Sequence, residues 1–267
     1  MKVCIYANCQ GIGVSKFLQF LPQRGDELEI KNFENYKLIG GDSREGLKKS
    51  AQEADVFIYQ PIGIGHGWLS THGNEETIMS ELRPNCLKIS FPYLYNDGLW
   101  PFYHEGTTRN SEPFTRLFDN GATLQDAKII YERGDMFFDM INRTKRSLEL
   151  LREREKETNI SISEYIAENY KNNELFLVQN HPSDEIFVSV VRQMANIIFG
   201  NGFIERRLDF LRNDNNFAEL PGRYPIDQYC VNEGGIKYAQ PEPNGYYHYL
   251  IDLAHADWLN ARSNLKH

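Results

Sequence analysis

The sequence has no CxxC pair, no long apolar run, no phosphate-binding P-loop and no excess of basic charge, and each absence removes a class of function. Without paired cysteines there is no ready zinc site. The four cysteines are scattered at 4, 9, 86 and 230, and Cys4 and Cys86 fall in apolar runs that read as strands, where a reduced, buried thiol is expected. No apolar run approaches the ~18 residues of a membrane-spanning helix, and the first residues enter a strand rather than a charged segment followed by an apolar one. A soluble, cytoplasmic protein with no integral membrane segment is the expectation. The 267 residues carry 29 basic and 37 acidic side chains, a net charge of −8, so a general nucleic-acid binder is not expected. A local basic pocket for a phosphorylated ligand remains compatible with that balance.

Residues 61–73 are glycine-rich, but Trp68 stands where the third glycine of a GxGxxG fingerprint belongs, and no GK[ST] follows. His66 and His72 in this loop lack a visible third ligand, so no metal is expected. There is no internal repeat and no low-complexity linker. Hydrophobic residues make up 41% and charged residues 25%, enough for a proper core in one large domain.

What is present begins with Val3–Gly13. A short apolar run breaks at Asn8-Cys9-Gln10-Gly11 and resumes with helical spacing at Val14, Phe17, Leu18 and Leu21. That pattern reads as a buried strand, a tight turn and a helix. Such a turn exposes one side chain at the carboxyl end of a strand and aims helix N–H groups at whatever binds there. The side chain here is Cys9, whose alternative reading is a small buried hydrophobe. Residues 27–33 alternate as a second strand, 43–54 form a polar helix capped by Asp42 or Ser43, and 55–60 form a third strand stopped by Pro61. The order strand–helix–strand–helix–strand predicts a parallel sheet with helices on both faces, whose ligands bind beyond the carboxyl ends of the strands.

Farther on, a helix is expected from Asn74 or Glu75 to Leu82 and a fourth strand over 86–91. The aromatic segment 91–104 contains too much Pro, Gly and Asn for a helix; it is either a wall of an active site, with Tyr93 and Trp100 toward a ligand, or ordinary packing. Residues 107–173 read as a helical insertion, with one long helix from Thr123 to Glu155. The sheet is expected to resume at Glu174 and end at His181-Pro182-Ser183, before a helix over 186–199. His181 thus holds the same kind of position as Cys9. From 200 to 267 the chain reads as an irregular extension, apart from a helix or strand near Tyr246–Trp258.

A thiol needs a neighbouring base, and histidine is the usual one. An acyl group under attack develops an oxyanion, for which the N–H of Gln10 and the side-chain amides of Asn8 and Gln60 are candidate donors. Cys9, His181, Gln10, Asn8 and Gln60 therefore make a candidate acyl-transfer site.

ANCQ at 7–10, YQPI at 59–62, FPYLYNDGLWP at 91–101 and NHPS at 180–183 resemble the WcbI-type polysaccharide-biosynthesis proteins. That family opens with GNCQ, so Ala7 is a departure, and residues 200–267 match none of its motifs. The layout is more distantly similar to SGNH-type esterases, although Val178 stands where their orienting aspartate would be. The resemblance implies a flavodoxin- or SGNH-like three-layer α/β fold. It also implies an acetyltransferase that takes an acyl group from coenzyme A, as acetyl-CoA, and delivers it to a sugar hydroxyl. Lys16, Arg109, Arg206 and Arg207 are then candidates for the coenzyme phosphates, beside Tyr93 and Trp100. A thiol esterase and a non-enzymatic nucleotide- or glycan-binding module are the alternatives.

Overall fold

The computed structural model describes residues 1–21, 28–73, 76–102, 112–136, 139–200, 218, 220, 222–239 and 245–264. In chain order its strands and α-helices begin β1 (Lys2–Ala7), α1 (Gln10–Gln19), β2 (Glu29–Glu34), α2 (Asn35–Ile39), α3 (Glu45–Glu53), β3 (Val56–Tyr59) and β4 (Leu87–Ser90). They continue with α4 (Glu112–Asp119), α5 (Leu124–Glu132), α6 (Met140–Glu155), α7 (Ser163–Asn169), β5 (Phe176–Val178), β6 (His181–Pro182), α8 (Asp184–Phe199), α9 (Gln228–Gly234) and α10 (Gly245–Asn264). The chain divides into two compact units: Met1–Leu94, Glu149–Ala167 and His181–Pro221 form the first, and Tyr95–Leu148, Glu168–Asn180 and Gly222–His267 the second.

The first unit is the expected parallel α/β sheet, with strand order β2-β1-β3-β4 and every neighbouring pair parallel. Alternation along the central strands sets the layers. Cys4, Tyr6 and Phe57 point into one apolar cluster with Leu38 of α2 and Leu47 and Ala51 of α3. Ile5 and Ala7 point the other way, against α1, where a Cβ at Gly11 would lie 3.1 Å from that of Ala7. Helix α8 packs on α1 in turn, with the rings of Phe17 and Phe187 stacked at 5.9 Å. Gly13 makes that approach possible: a Cβ there would come within 2.4 Å of Phe187 Cζ.

The second unit is largely helical. Phe102, Phe114 and Phe118 pack with Tyr131 of α5 and with Tyr247, Leu250 and Ile251 of α10, and the Phe102 and Phe114 rings stack at 5.0 Å.

Several sequence expectations are corrected. Among the described residues the sheet has four strands; residues 174–183 do not extend it, and Phe176–Val178 is a separate short strand. The helix expected over 123–155 is two helices. Thr123 and Asp126 cap the start of α5 reciprocally, and its end is a Schellman turn in which Asp135 N–H reaches Ile130 O at 3.1 Å with Gly134 at φ 72°. The apolar stripe continues past that turn, which hid the break. The helix expected before Leu82 is a short 3-10 turn over Ile78–Glu81. The polar helix starts after Arg44, whose side chain makes no cap, and Ser43 Oγ accepts Glu45 N–H from just outside it, at a long 3.5 Å. Within the stretch read as irregular, α9 is a regular helix, while the helix or strand expected near Tyr246–Trp258 is the twenty-residue helix α10.

Gly13→Ala should lower unfolding stability by about 1–3 kcal/mol, the usual cost of overpacking, and Phe187→Leu in the same chain should recover part of it. Urea unfolding midpoints of the two variants measure both effects.

Candidate functional site

The carboxyl ends of β1 and β3 are adjacent, and on either side of that pair the chain continues to β2 and to β4, so the strand order reverses there. Open parallel sheets bind ligands at such a point. Two buried glutamines tie these ends together. Gln60, directly after β3, extends the pairing by donating its backbone N–H to Tyr6 O at 3.0 Å. Its side-chain Oε1 accepts from Asn8 N–H at 2.9 Å, and its Nε2 donates to Gln10 Oε1 at 2.8 Å and to Pro92 O at 3.4 Å. Gln10, 0% exposed, donates through Nε2 to Leu94 O at 2.7 Å and accepts Leu94 N–H at 3.2 Å. One amide pair thus fastens the β1–α1 turn, the end of β3 and the segment after β4.

These bonds change what the glutamines can do. Both amide hydrogens of Gln60 are spent on internal acceptors, and the backbone N–H of Gln10 donates to Asn8 Oδ1 at 2.9 Å. The oxyanion-donor role read from the sequence for Gln60 and for the Gln10 N–H is therefore corrected: they build the turn. Asn8, half-buried, keeps its amide nitrogen for other partners.

Cys9 is the N-cap of α1 and is half-buried. The α1 start should favour its thiolate, and the N–H groups of Cys9 and Gln10 do pull that way. Burial is the larger effect, the Glu34 carboxylate adds to it, and the thiol is held above its ordinary value. Glu34 ends β2 opposite Ala7 in register. Burial opposes its ionisation, but hydrogen bonds from Lys37 and from Tyr36 Oη, the latter at 2.5 Å, outweigh it and hold the carboxyl below its usual value. Tyr36 is in turn pushed up to about 12, chiefly by its bond to Glu34. Cys9 therefore faces a fixed anion.

His181 lies two residues before the first residue of α8's N-cap turn, Ser183 being the cap. Gly13 and Phe187, each four residues beyond its helix's N-cap, touch one another, so the starts of α1 and α8 are held at equal depth from one contact. Asp184, the first residue of α8, is buried and accepts Ala218 N–H at 3.0 Å.

The remaining assignments divide. Lys16 is in the last turn of α1, seven residues beyond Cys9 and so roughly 10 Å along the axis. Tyr93 is half-buried, and the Arg154 guanidinium lies 5.1 Å from its ring centroid while donating to its carbonyl at 3.1 Å. Trp100 is corrected: it is 1% exposed in the second unit, its indole N–H on Tyr224 O at 3.3 Å, so it packs and does not face a ligand. Arg109, Arg206 and Arg207 lie outside the described residues. Among the described residues no three His, Cys, Asp or Glu side chains come close enough to hold a metal ion.

Sequence reading missed Glu34, Tyr36, Lys37 and Arg154. The first three were within reach, because Glu34 ends a strand of the same sheet and obeys the same carboxyl-end rule as Gln60. Arg154 sits in a mixed-charge helix face and nothing local distinguished it.

The family model for the polysaccharide biosynthesis enzyme WcbI matches residues 2–198. A solved structure of WcbI, presented as a novel polysaccharide biosynthesis enzyme, superposes with TM-score 0.60 at 17% identity, covering 97% of each chain. At that identity the likeness carries the fold. That structure is described as native protein without a disulfide bond between coenzyme A and one of its cysteines. No curated protein matches the sequence.

Two outcomes follow from the site's geometry. Gln60→Leu should cost about 1–3 kcal/mol, because it removes the acceptor of Asn8 N–H and leaves Gln10 Oε1 with the longer bond from Leu94 N–H alone; denaturant unfolding measures it. The raised thiol means a small thiolate fraction at neutral pH. Iodoacetamide should therefore alkylate Cys9 more slowly than a free thiol at pH 7, with a pH midpoint above that of the free thiol. Glu34→Gln should speed the reaction and move the midpoint down.

Proposed function

The chain belongs to the WcbI family of polysaccharide biosynthesis enzymes, and from that premise we propose that it transfers an acyl group, acetyl in the first instance, from coenzyme A to a sugar hydroxyl. The observation that carries this reading is Cys9 at the carboxyl end of the central strand, on the β1–α1 turn, in a chain whose fold is shared by a structure described with coenzyme A and a cysteine.

The sugar oxygen attacks the thioester carbonyl carbon while His181 takes the hydroxyl proton. The tetrahedral oxyanion is met by the Asn8 side-chain amide. Collapse breaks the carbon–sulfur bond, and the coenzyme sulfur leaves with the proton held on His181. The products are an O-acylated sugar and free coenzyme A. A protonated Cys9 suits this direct route: its thiol lines the place where the coenzyme sulfur lies and supplies no thiolate for a covalent intermediate. The same placement sets two sulfurs side by side.

The coenzyme phosphates need cations. Lys37, beside Glu34, and Arg154, on Tyr93, fit that need better than Lys16, which sits at the far end of α1. The four free cysteines suit a reducing compartment, and the reaction is set in the cytoplasm.

Coenzyme A and acetyl-CoA should raise the unfolding temperature, because a ligand that binds only the folded state stabilises it. His181→Ala should lower transfer by about 10²–10⁴-fold with coenzyme binding intact. Cys9→Ser should keep most of the transfer activity. A Cys9→Ser variant as inactive as His181→Ala, with an acyl-cysteine trapped on the parent, would replace the direct route by a covalent one. No response to either coenzyme would remove the reading altogether.

A further inference from the structure

We propose that residues 62–71 form a lid whose tip, Ile64, closes over the acyl donor and keeps water from the thioester. The proposal rests on the acyl-transfer reading and names the part of the chain that makes the reaction a transfer and not a hydrolysis. The glycine-rich stretch singled out in the sequence leaves the carboxyl end of β3 after Gln60 and Pro61, all within the first unit. Its two ends are fastened to each other. Ile62 N–H donates to Thr71 Oγ1 at 2.8 Å, and Ile62 O accepts from Thr71 N–H and from Ser70 Oγ, both at 3.1 Å. Leu69 O accepts from the Tyr6 hydroxyl of β1 at 3.0 Å. Ile62, Leu69, Ser70 and Thr71 are all buried. A compact loop with joined ends is an Ω-loop, a form that often carries function.

The tip is the opposite of its base. Ile64 is 75% exposed, two residues after Ile62 at 6%. An aliphatic side chain held that far into water stabilises nothing where it stands. The glycines on either side of it are equally unexplained by the conformation they hold. Gly63 has φ −64° and ψ 162°, which any residue adopts, and Gly65 has no positive φ. A Cβ on either would meet nothing within 4 Å among the described residues. Gly67, at φ 56°, does favour glycine, and it marks the kink between the tip and the packed Trp68 and Leu69. Glycine loses more conformational freedom on folding than any other residue. Freedom that Gly63 and Gly65 do not use in this form is used in a second, closed one.

The loop is placed to cover the Cys9 turn. The strand order β2-β1-β3 puts Cys9, at the end of β1, between α2 on one side and this loop on the other. The stretch Ile64–Leu69 packs against α2, so it spans the width of β1. On the same edge α2 exposes Tyr36 and Ile39. Burying Ile64 on a bound donor favours the closed form about tenfold or more. With the lid open, the oxygen of water attacks the acyl carbon in place of the sugar oxygen. The carbon–sulfur bond then breaks, one water proton goes to the coenzyme sulfur, and the carboxylic acid product releases the other. Closure excludes that water.

The test uses the full chain with acetyl-CoA and needs no sugar. Coenzyme binding is read by thermal shift, hydrolysis by the coenzyme thiol released, and closure by amide hydrogen exchange across residues 62–71. Acetyl-CoA should slow exchange at the tip of the parent about tenfold. Ile64→Ser should abolish that slowing and raise acetyl-CoA hydrolysis by a similar factor. It should leave the unfolding temperature of the free protein unchanged, because the side chain it removes is exposed. The double variant Gly63→Ala, Gly65→Ala should melt no lower than the parent, since alanine fits the open form and restricts the unfolded chain. It should nevertheless lose the slowing of exchange, a result that a merely structural loop would not give. Exchange that ignores bound acetyl-CoA, or hydrolysis no faster in Ile64→Ser, overturns the lid and leaves the acyl-transfer reading standing. The absence of any thermal response to coenzyme A and to acetyl-CoA overturns the lid together with that reading.

Discussion

The amide pair of Gln10 and Gln60 is the constraint on which the arrangement of the site depends. Parallel strands carry no turn that links their carboxyl ends, so the ends of β1 and β3 would be joined only by the last rung of the ladder. The two side chains add four bonds beyond that rung, to Asn8 N–H, to Pro92 O and to both backbone groups of Leu94, besides the bond between themselves. Each is a neutral hydrogen bond made out of water, where its loss costs more than its presence contributes. The pair is therefore hard to remove piecemeal, and it holds the turn that presents Cys9. An apolar pair could fill the same volume but would leave the Asn8 N–H and the Leu94 groups unsatisfied.

A rigid turn alone does not make a reactive cysteine. Cys9 has the helix start that lowers thiol pKa in redox proteins, yet the balance goes the other way. The N–H groups of Cys9 and Gln10 act on a half-buried sulfur, and one of those N–H groups also serves Asn8. Glu34, kept ionised by Lys37 and Tyr36, then sets a negative charge on the same side. The result is a neutral thiol in a polar frame, which is a good neighbour for the sulfur of a thioester and a poor nucleophile at rest. Position in the fold and chemical state are separate facts, and only the first was given by the strand–turn–helix pattern.

The local elements of the first unit were legible because each rests on a periodicity within one short stretch. Val3–Ala7, Gln10–Gln19 and Val56–Tyr59 were all readable that way, and the strand order followed from their alternation with helices. Gln60 was legible as a position and not as a role, since its two acceptors lie 50 and 32 residues away in sequence. The resumption of the sheet at Glu174 failed for a related reason. Glu174–Gln179 has the apolar run of a buried strand, and burial is what it has, but a run cannot say which partner buries it. The break between α5 and α6 failed because Gly134 interrupts the backbone without interrupting the apolar stripe. Trp100 was half-legible: an aromatic segment rich in proline and glycine must put its rings somewhere, and the choice between core and ligand is made by the long-range contact with Tyr224.

The same choice, repeated over many rings, gives the second unit its character. Aromatic residues are 13% of the chain, and composition cannot separate packing from recognition because both reward the same flat, apolar surface. The structure separates them by what happens to the hydroxyls. Tyr131 donates its hydroxyl hydrogen bond to buried Asp227 at 2.7 Å, and Tyr247 donates to Pro225 O at 2.6 Å; both rings are core. Tyr238 is only half-buried and its ring is not core in the same sense, although its covered hydroxyl has no partner among the described residues.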